Sequence, residues 1–172
     1  MTELNHPKQS WSRRMRSWLL QAAILLAVVL LVHLWQTRNV ITGAAPPLVG
    51  WTLQGDRFVL SESRGEPLVV HFWATWCPVC RLELSNIAGL QPEHRVISVA
   101  MMSGSDEEIM AYQKEQGVDF PVISDPQGKT ASAWGVAGLP ATFILDGEGK
   151  IRFVEVGYTT SLGLRTRLWL AQ

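Results

Sequence analysis

Two patterns of apolar and polar positions divide the chain. Between Trp18 and Trp35 the residues are apolar almost without a break, with Gln21 and His33 the polar positions near the two ends. A helix there sets the tryptophans about 26 Å apart at 1.5 Å per residue, close to the depth of a bilayer's apolar core, with one indole at each interface. Past residue 48 the pattern changes to short apolar runs separated by polar turns. Residues 51–60 predict a hairpin turning at Gln54-Gly55-Asp56. A continuous run over 68–74, rich in β-branched and aromatic residues, predicts a buried strand. Residues 78–90 predict a helix with Leu82, Ile87 and Leu90 on its inner side, and 96–101 a second strand. Asp106-Glu107-Glu108 supply the acidic first turn that a helix dipole favours, and Gly117 ends that helix. A strand over 120–124, a short helix over 129–136, a strand over 141–146 and a turn at Gly147-Glu148-Gly149-Lys150 lead into an alternating strand over 151–156. The last helix, 161–171, has Leu162, Leu168 and Trp169 as its expected inner face. Strands and helices that alternate before a final hairpin and helix imply an α/β sandwich with a mixed sheet.

Candidate chemistry concentrates where the central strand ends. His71-Phe72-Trp73-Ala74-Thr75-Trp76 runs into Cys77-Pro78-Val79-Cys80, and these are the two cysteines of the chain. Pro78 suits the first position of a helix, which makes Cys77 the N-cap, where unpaired N–H groups and the helix dipole stabilise a thiolate. Cys80 lies one turn inside, able to bridge to Cys77. A Cys-x-x-Cys between strand and helix reads as a redox dithiol, because a thiolate attacks disulfides and a second thiol resolves the product. A structural zinc site needs four ligands, and neither a second Cys-x-x-Cys nor a His-x-x-x-His is present.

Charge changes the picture only by its distribution. The chain has 15 basic and 15 acidic residues. Up to residue 45, Lys8, Arg13, Arg14, Arg16 and Arg38 face Glu3 alone, a surplus of +4, so the remainder carries −4. No basic, aromatic-interleaved patch points to nucleic acid. Four of the five N-terminal cations precede the apolar stretch, so the positive-inside rule places the N-terminus in the cytoplasm and the rest beyond the membrane. The expected organisation is a cytoplasmic tail (1–17), a transmembrane anchor (18–36), a linker (37–47) with breakers Gly43, Pro46 and Pro47, and a catalytic domain (48–172). The competing reading is a cleaved signal peptide, whose apolar core is shorter, at 7–15 residues.

Phe72-Trp73-Ala74-Thr75-Trp76-Cys77-Pro78-Val79-Cys80, followed by Gly138-Leu139-Pro140-Ala141-Thr142-Phe143-Ile144-Leu145-Asp146, resembles the thioredoxin-fold proteins over about residues 46–172. Within them it is similar to the membrane-anchored TlpA/ResA/CcmG branch, and most to its ScsD (suppression of copper sensitivity) type. The resemblance implies a thioredoxin-like α/β fold, with a mixed central sheet and flanking helices, preceded here by one N-terminal transmembrane helix. It implies that Cys77 attacks and Cys80 resolves. Pro140 matches the cis-proline that faces the dithiol, and Leu139 before it offers its backbone to an incoming peptide. Trp76, with Pro78, helps form an apolar docking surface, and Trp73 belongs to the core. His71 stands where thioredoxins usually carry a buried acid: it either relays the Cys80 proton or is a hydrogen-bonded core histidine. Glu83 stands where ResA-like proteins carry a glutamate near the dithiol: it either tunes or shuttles a proton, or is a solvated helix carboxylate.

The function these residues imply is thiol–disulfide exchange by a protein tethered to the inner membrane, with its domain in the periplasm, acting as a reductant on cysteine-containing substrate proteins. The sequence carries no nicotinamide or flavin fingerprint, so no cofactor and no metal is expected. Electrons then come from a protein, by resemblance a membrane transporter of the DsbD/ScsB type. Three alternatives stand beside this. A dedicated reductant for cytochrome c maturation usually carries Glu after the cis-proline, where this chain has Ala141. A peroxidase of related fold wants a Pro-x-x-x-Thr/Ser-x-x-Cys loop, where Ala74-Thr75-Trp76 precede Cys77. A Cu(I)-binding chaperone would use the two thiolates as soft ligands. Met101 and Met102 either add to such a site or are packing residues.

Overall fold

The computed structural model describes residues 9–37 and 43–172, with side chains from residue 15 to 31 in the first segment. Residues up to Arg38 form one unit and those from Asn39 another. The first unit holds helix α1 (Gln9–Thr37), whose described apolar side chains, Trp18 and Leu31 among them, are exposed. Among the described residues no helix is long and apolar enough to cross a membrane. The anchor expected over 18–36 runs past residue 31, and the expected tail and linker also lie partly outside the described residues.

The second unit is built on three adjacent parallel strands. Strand β4 (Leu68–Trp73) is buried at all six positions, as its unbroken apolar pattern requires. It pairs in parallel with β5 (Arg95–Met101), which pairs in parallel with β6 (Val122–Asp125). On its other side β4 meets β7 (Ala141–Leu145) antiparallel, and β7 meets β8 (Lys150–Val156) antiparallel. The stretch read as linker contributes the edge: β1 (Gly43–Ala44) pairs with β8 and completes the six-stranded mixed sheet. Two residues are too few to show a period in the sequence. The expected hairpin is β2 (Val49–Trp51) with β3 (Arg57–Val59), a sheet of its own.

Helix α2 (Pro78–Ala88) follows β4. Helix α3 (Asp106–Gln116) has a capping box between Ser105 and Glu108 and ends at Gly117, whose φ of 66° is the left-handed conformation that glycine adopts freely. A short α4 (Lys129–Ala133) precedes β7, and α5 (Ser161–Leu170) closes the chain. One face of the sheet packs Val69, Trp73, Ala100 and Ile144 against Leu84, Ile87, Ile109, Leu164 and Leu168 of α2, α3 and α5. The other packs Val70, Phe72, Val99 and Phe143 against Leu60, Ala131 and Trp134.

Two helix faces differ from expectation. On α2 the inner positions are Cys80, Glu83, Leu84 and Ile87, spaced i, i+3, i+4, i+7, and this phase turns Leu82 outward to 66% exposure. On α5 the inner face is Leu164 and Leu168, continued by Ala171, while Leu162 and Trp169 are exposed.

Candidate active site

The strand-to-helix junction places the dithiol. Cys77 has extended φ and ψ (−91°, 109°) and caps α2, its Sγ accepting the main-chain N–H of Cys80 at 3.1 Å. Pro78 occupies the first turn, where its missing N–H costs nothing. The cysteines are joined as a disulfide, Cα atoms 5.3 Å apart, with Cys80 fully buried and Cys77 5% exposed. The sulfur that an incoming partner reaches is therefore that of Cys77.

The rim is clamped to the loop after β5. Thr75 donates its N–H to Ser103 Oγ (3.1 Å) and its hydroxyl to the Ser103 carbonyl (3.3 Å). Trp76, 59% exposed, donates Nε1–H to the Met102 carbonyl at 3.0 Å. Met102 sits at φ 46°, a left-handed conformation uncommon outside glycine. Beside them opens a hollow of about 490 Å³ lined by Trp76, Met102, Gly104 and Tyr112. Trp73 is core, donating Nε1–H to Ser98 Oγ. Met101 packs partly buried on the apolar cluster of the opposite sheet face. Among the described residues no group of three or more His, Cys, Asp or Glu is placed to hold a metal. The Leu139–Pro140 peptide is cis. Register sets Ala141 against Phe72, so Pro140 stands at the end of β4 from which the redox loop leaves. Leu139 packs half-buried against the apolar clusters of both sheet faces, the one containing both cysteines included.

Beneath the dithiol lie polar groups that an apolar core ordinarily excludes. His71, fully buried, pairs Nδ1 with Thr142 Oγ1 at 3.0 Å, and its Nε2 has no hydrogen-bond partner among the described residues. Burial lowers its pKa from 6.5 to about 3, so the imidazole is neutral at physiological pH. Glu83 is fully buried, which overturns the reading of a solvated carboxylate. Its Oε1 accepts the Thr159 N–H at 3.1 Å, and Oε2 has no partner among the described residues. Burial raises its pKa from 4.5 to about 8; the Thr159 hydrogen bond opposes the rise and the Glu155 carboxylate adds to it. Being i+3 from Cys80, Glu83 has its Cβ about 5–6 Å from that of the resolving cysteine.

Sequence reasoning missed Thr142, Glu155 and Arg167. Thr142 is the β7 residue opposite His71, and Glu155 the β8 residue opposite Thr142, so the three form one row across the sheet. Only the register reveals this row. Glu155 in turn binds Arg167 of α5, Oε1 to Nε at 2.5 Å.

Comparison with known proteins fits this arrangement. The profile of the AhpC/TSA family matches residues 41–154. A thioredoxin-like protein of Haemophilus influenzae is 35% identical over 122 residues, covering 70% of this chain and 72% of that one. The thiol-disulfide oxidoreductase ResA of Bacillus subtilis is 31% identical over 121 residues, 67% of each. The crystal structure of a thiol:disulfide interchange protein of the thioredoxin family from Chlorobium tepidum superposes with a TM-score of 0.66 at 25% identity, covering 77% of this chain and 98% of that one.

Proposed function

The chain belongs to the AhpC/TSA family and is a thiol–disulfide oxidoreductase; from this premise we propose that it works as a reductant, tethered to the inner membrane with its domain in the periplasm. The reaction begins when Cys77 thiolate attacks a partner's disulfide, releasing one partner thiolate and leaving a mixed disulfide. Cys80 gives its proton to Glu83 in the ionised fraction of molecules, which grows as pH approaches about 8, and its thiolate attacks Cys77 Sγ. The Cys77–Cys80 bond forms, and the partner leaves with both sulfurs reduced and two electrons gained.

The observation that carries the direction is the buried carboxyl. A strong oxidant is one whose reduced, thiolate form is stabilised. Here the N–H of Cys80 is the donor at Cys77 Sγ. The ionisable groups on the inner side, a carboxyl raised to about 8 and an imidazole lowered to about 3, supply no positive charge at neutral pH. Substrates are cysteine-containing periplasmic proteins. In the finer assignment the chain is of the ScsD type, reduced by a membrane transporter of the DsbD/ScsB type. The tether rests on the apolar stretch from Trp18 to Trp35 and its basic N-terminal flank; resistance of the chain to alkaline extraction from membranes tests it. The reduction potential of the Cys77–Cys80 couple tests the direction. A value at or below about −200 mV is expected, and one near −120 mV, about that of a strong periplasmic oxidant, would reverse it.

A further inference from the structure

Glu83 lies among polar groups carried by several elements. Cys80 precedes it on α2. His71 of β4 and Glu155 of β8 lie on the sheet face that α2 covers, in one row with Thr142. The loop after β8 brings the Thr159 N–H to Oε1, and Tyr158, whose hydroxyl accepts from Asn86 of α2. Among the described residues, Glu155 is the one of these with an ionic partner, Arg167 of α5. That partner is built in. Arg167 Nη1 also donates to the Gly163 carbonyl at 3.0 Å, and a Cβ on Gly163 would stand 3.1 Å from the same nitrogen, so the glycine leaves the room in which the guanidinium folds back. Both side chains are partly shielded, at 25% and 32% exposure, so solvent screens the pair only in part.

We infer that the Glu155–Arg167 ion pair is a positioning element that sets how readily Glu83 takes the Cys80 proton, and through it the pH at which the mixed disulfide is resolved. The inference rests on Glu83 being the proton acceptor of the previous section. Two opposed charges give it a signature that mere structural support lacks. With Arg167 removed, Glu155 repels an ionised Glu83 uncompensated, and the carboxyl holds its proton to higher pH. With Glu155 removed, Arg167 attracts the ionised form, and the proton leaves at lower pH.

The test uses the full-length reduced protein mixed with 5,5′-dithiobis(2-nitrobenzoate). Attack by Cys77 releases one thionitrobenzoate. Attack by Cys80 on the resulting mixed disulfide releases the second, and the rate of that second phase is followed from pH 5 to 9. Arg167→Gln is expected to move the midpoint up by about half a unit or more and Glu155→Gln to move it down by a similar amount. The double variant returns it towards the native value, and Arg167→Lys restores it. In a Glu83→Gln background neither substitution moves the profile. Single variants that leave the midpoint in place, or move it in the same direction, or act equally in the Glu83→Gln background, overturn the inference while Glu83 keeps its role. A Glu83→Gln protein with the native profile overturns both.

Discussion

On one face of the sheet Phe72, Phe143 and Trp134 meet with ring centroids 5.1 to 5.5 Å apart, in a cluster of apolar side chains. On the other face, one residue away along the same strands, the core contains a disulfide, an imidazole and a carboxyl. Both faces are equally closed to water. The first gains packing and apolar transfer energy from every atom it buries. The second holds Glu83 and His71 neutral at a cost in stability, and so keeps near the dithiol a carboxyl whose ionised fraction, growing towards pH 8, is a base matched to a thiol of ordinary pKa about 8.5. The difference teaches that one face supplies the stability against which the other keeps its polar groups.

The largest effect that sharpens this contrast is on the aromatic face. Phe143→Ala removes the ring that touches both Phe72 and Trp134. It is expected to cost about 3–5 kcal/mol in denaturant unfolding, with exchange per folded molecule unchanged. A large loss of exchange in the folded fraction would show that the faces are not separable.

The pH dependence of stability comes next, and its sign follows from the two buried groups. Between pH 4.5 and about 8 folded Glu83 keeps a proton that the unfolded chain has lost, so its contribution falls as pH rises. Between about 3 and 6.5 unfolded His71 binds a proton that the folded chain refuses, so its contribution falls as pH drops. The slopes, about 1.4 kcal/mol per unit each, cancel from 4.5 to 6.5 and leave a plateau with a decline on either side. Glu83→Gln flattens the alkaline decline and His71→Asn the acid one. Unfolding curves in which Glu83→Gln keeps the alkaline decline would mean that the carboxyl is ionised in the fold.

The smallest effect is on the outer side of α2. Leu82→Ala, at an exposed position, is expected to change stability by no more than about 0.5 kcal/mol, although its neighbour Leu84 is fully buried.

That pair also marks where the sequence stopped being readable. Strands with unbroken apolar runs, the Cys77 cap and the acidic first turn of α3 were legible because each rests on local composition or a short motif, and the cis peptide before Pro140 because the family resemblance implies it. In Leu82-Glu83-Leu84, hydrophobicity argued for Leu82 inside and Glu83 outside. The helix phase is instead fixed by Cys80 and the sheet beneath, which bury Glu83 and expose a leucine. Trp169 and Leu162 on α5 went the same way, because Leu164 and Leu168 take the inner face. Thr142 and Glu155 gain meaning only from strand register, which no local pattern records.

Cys77, Cys80 and Glu83 share one short stretch of chain, Cys77 at the cap of α2 and the other two within its first turns, so the helix fixes the spacing of Cys80 and Glu83, rising about 1.5 Å per residue. The segment is therefore a portable cassette. Grafted onto another scaffold of this shape, it would carry the placement of carboxyl and sulfur with it. The acidity of that carboxyl would stay behind, because the N–H of Thr159 and the charge of Glu155 belong to the host.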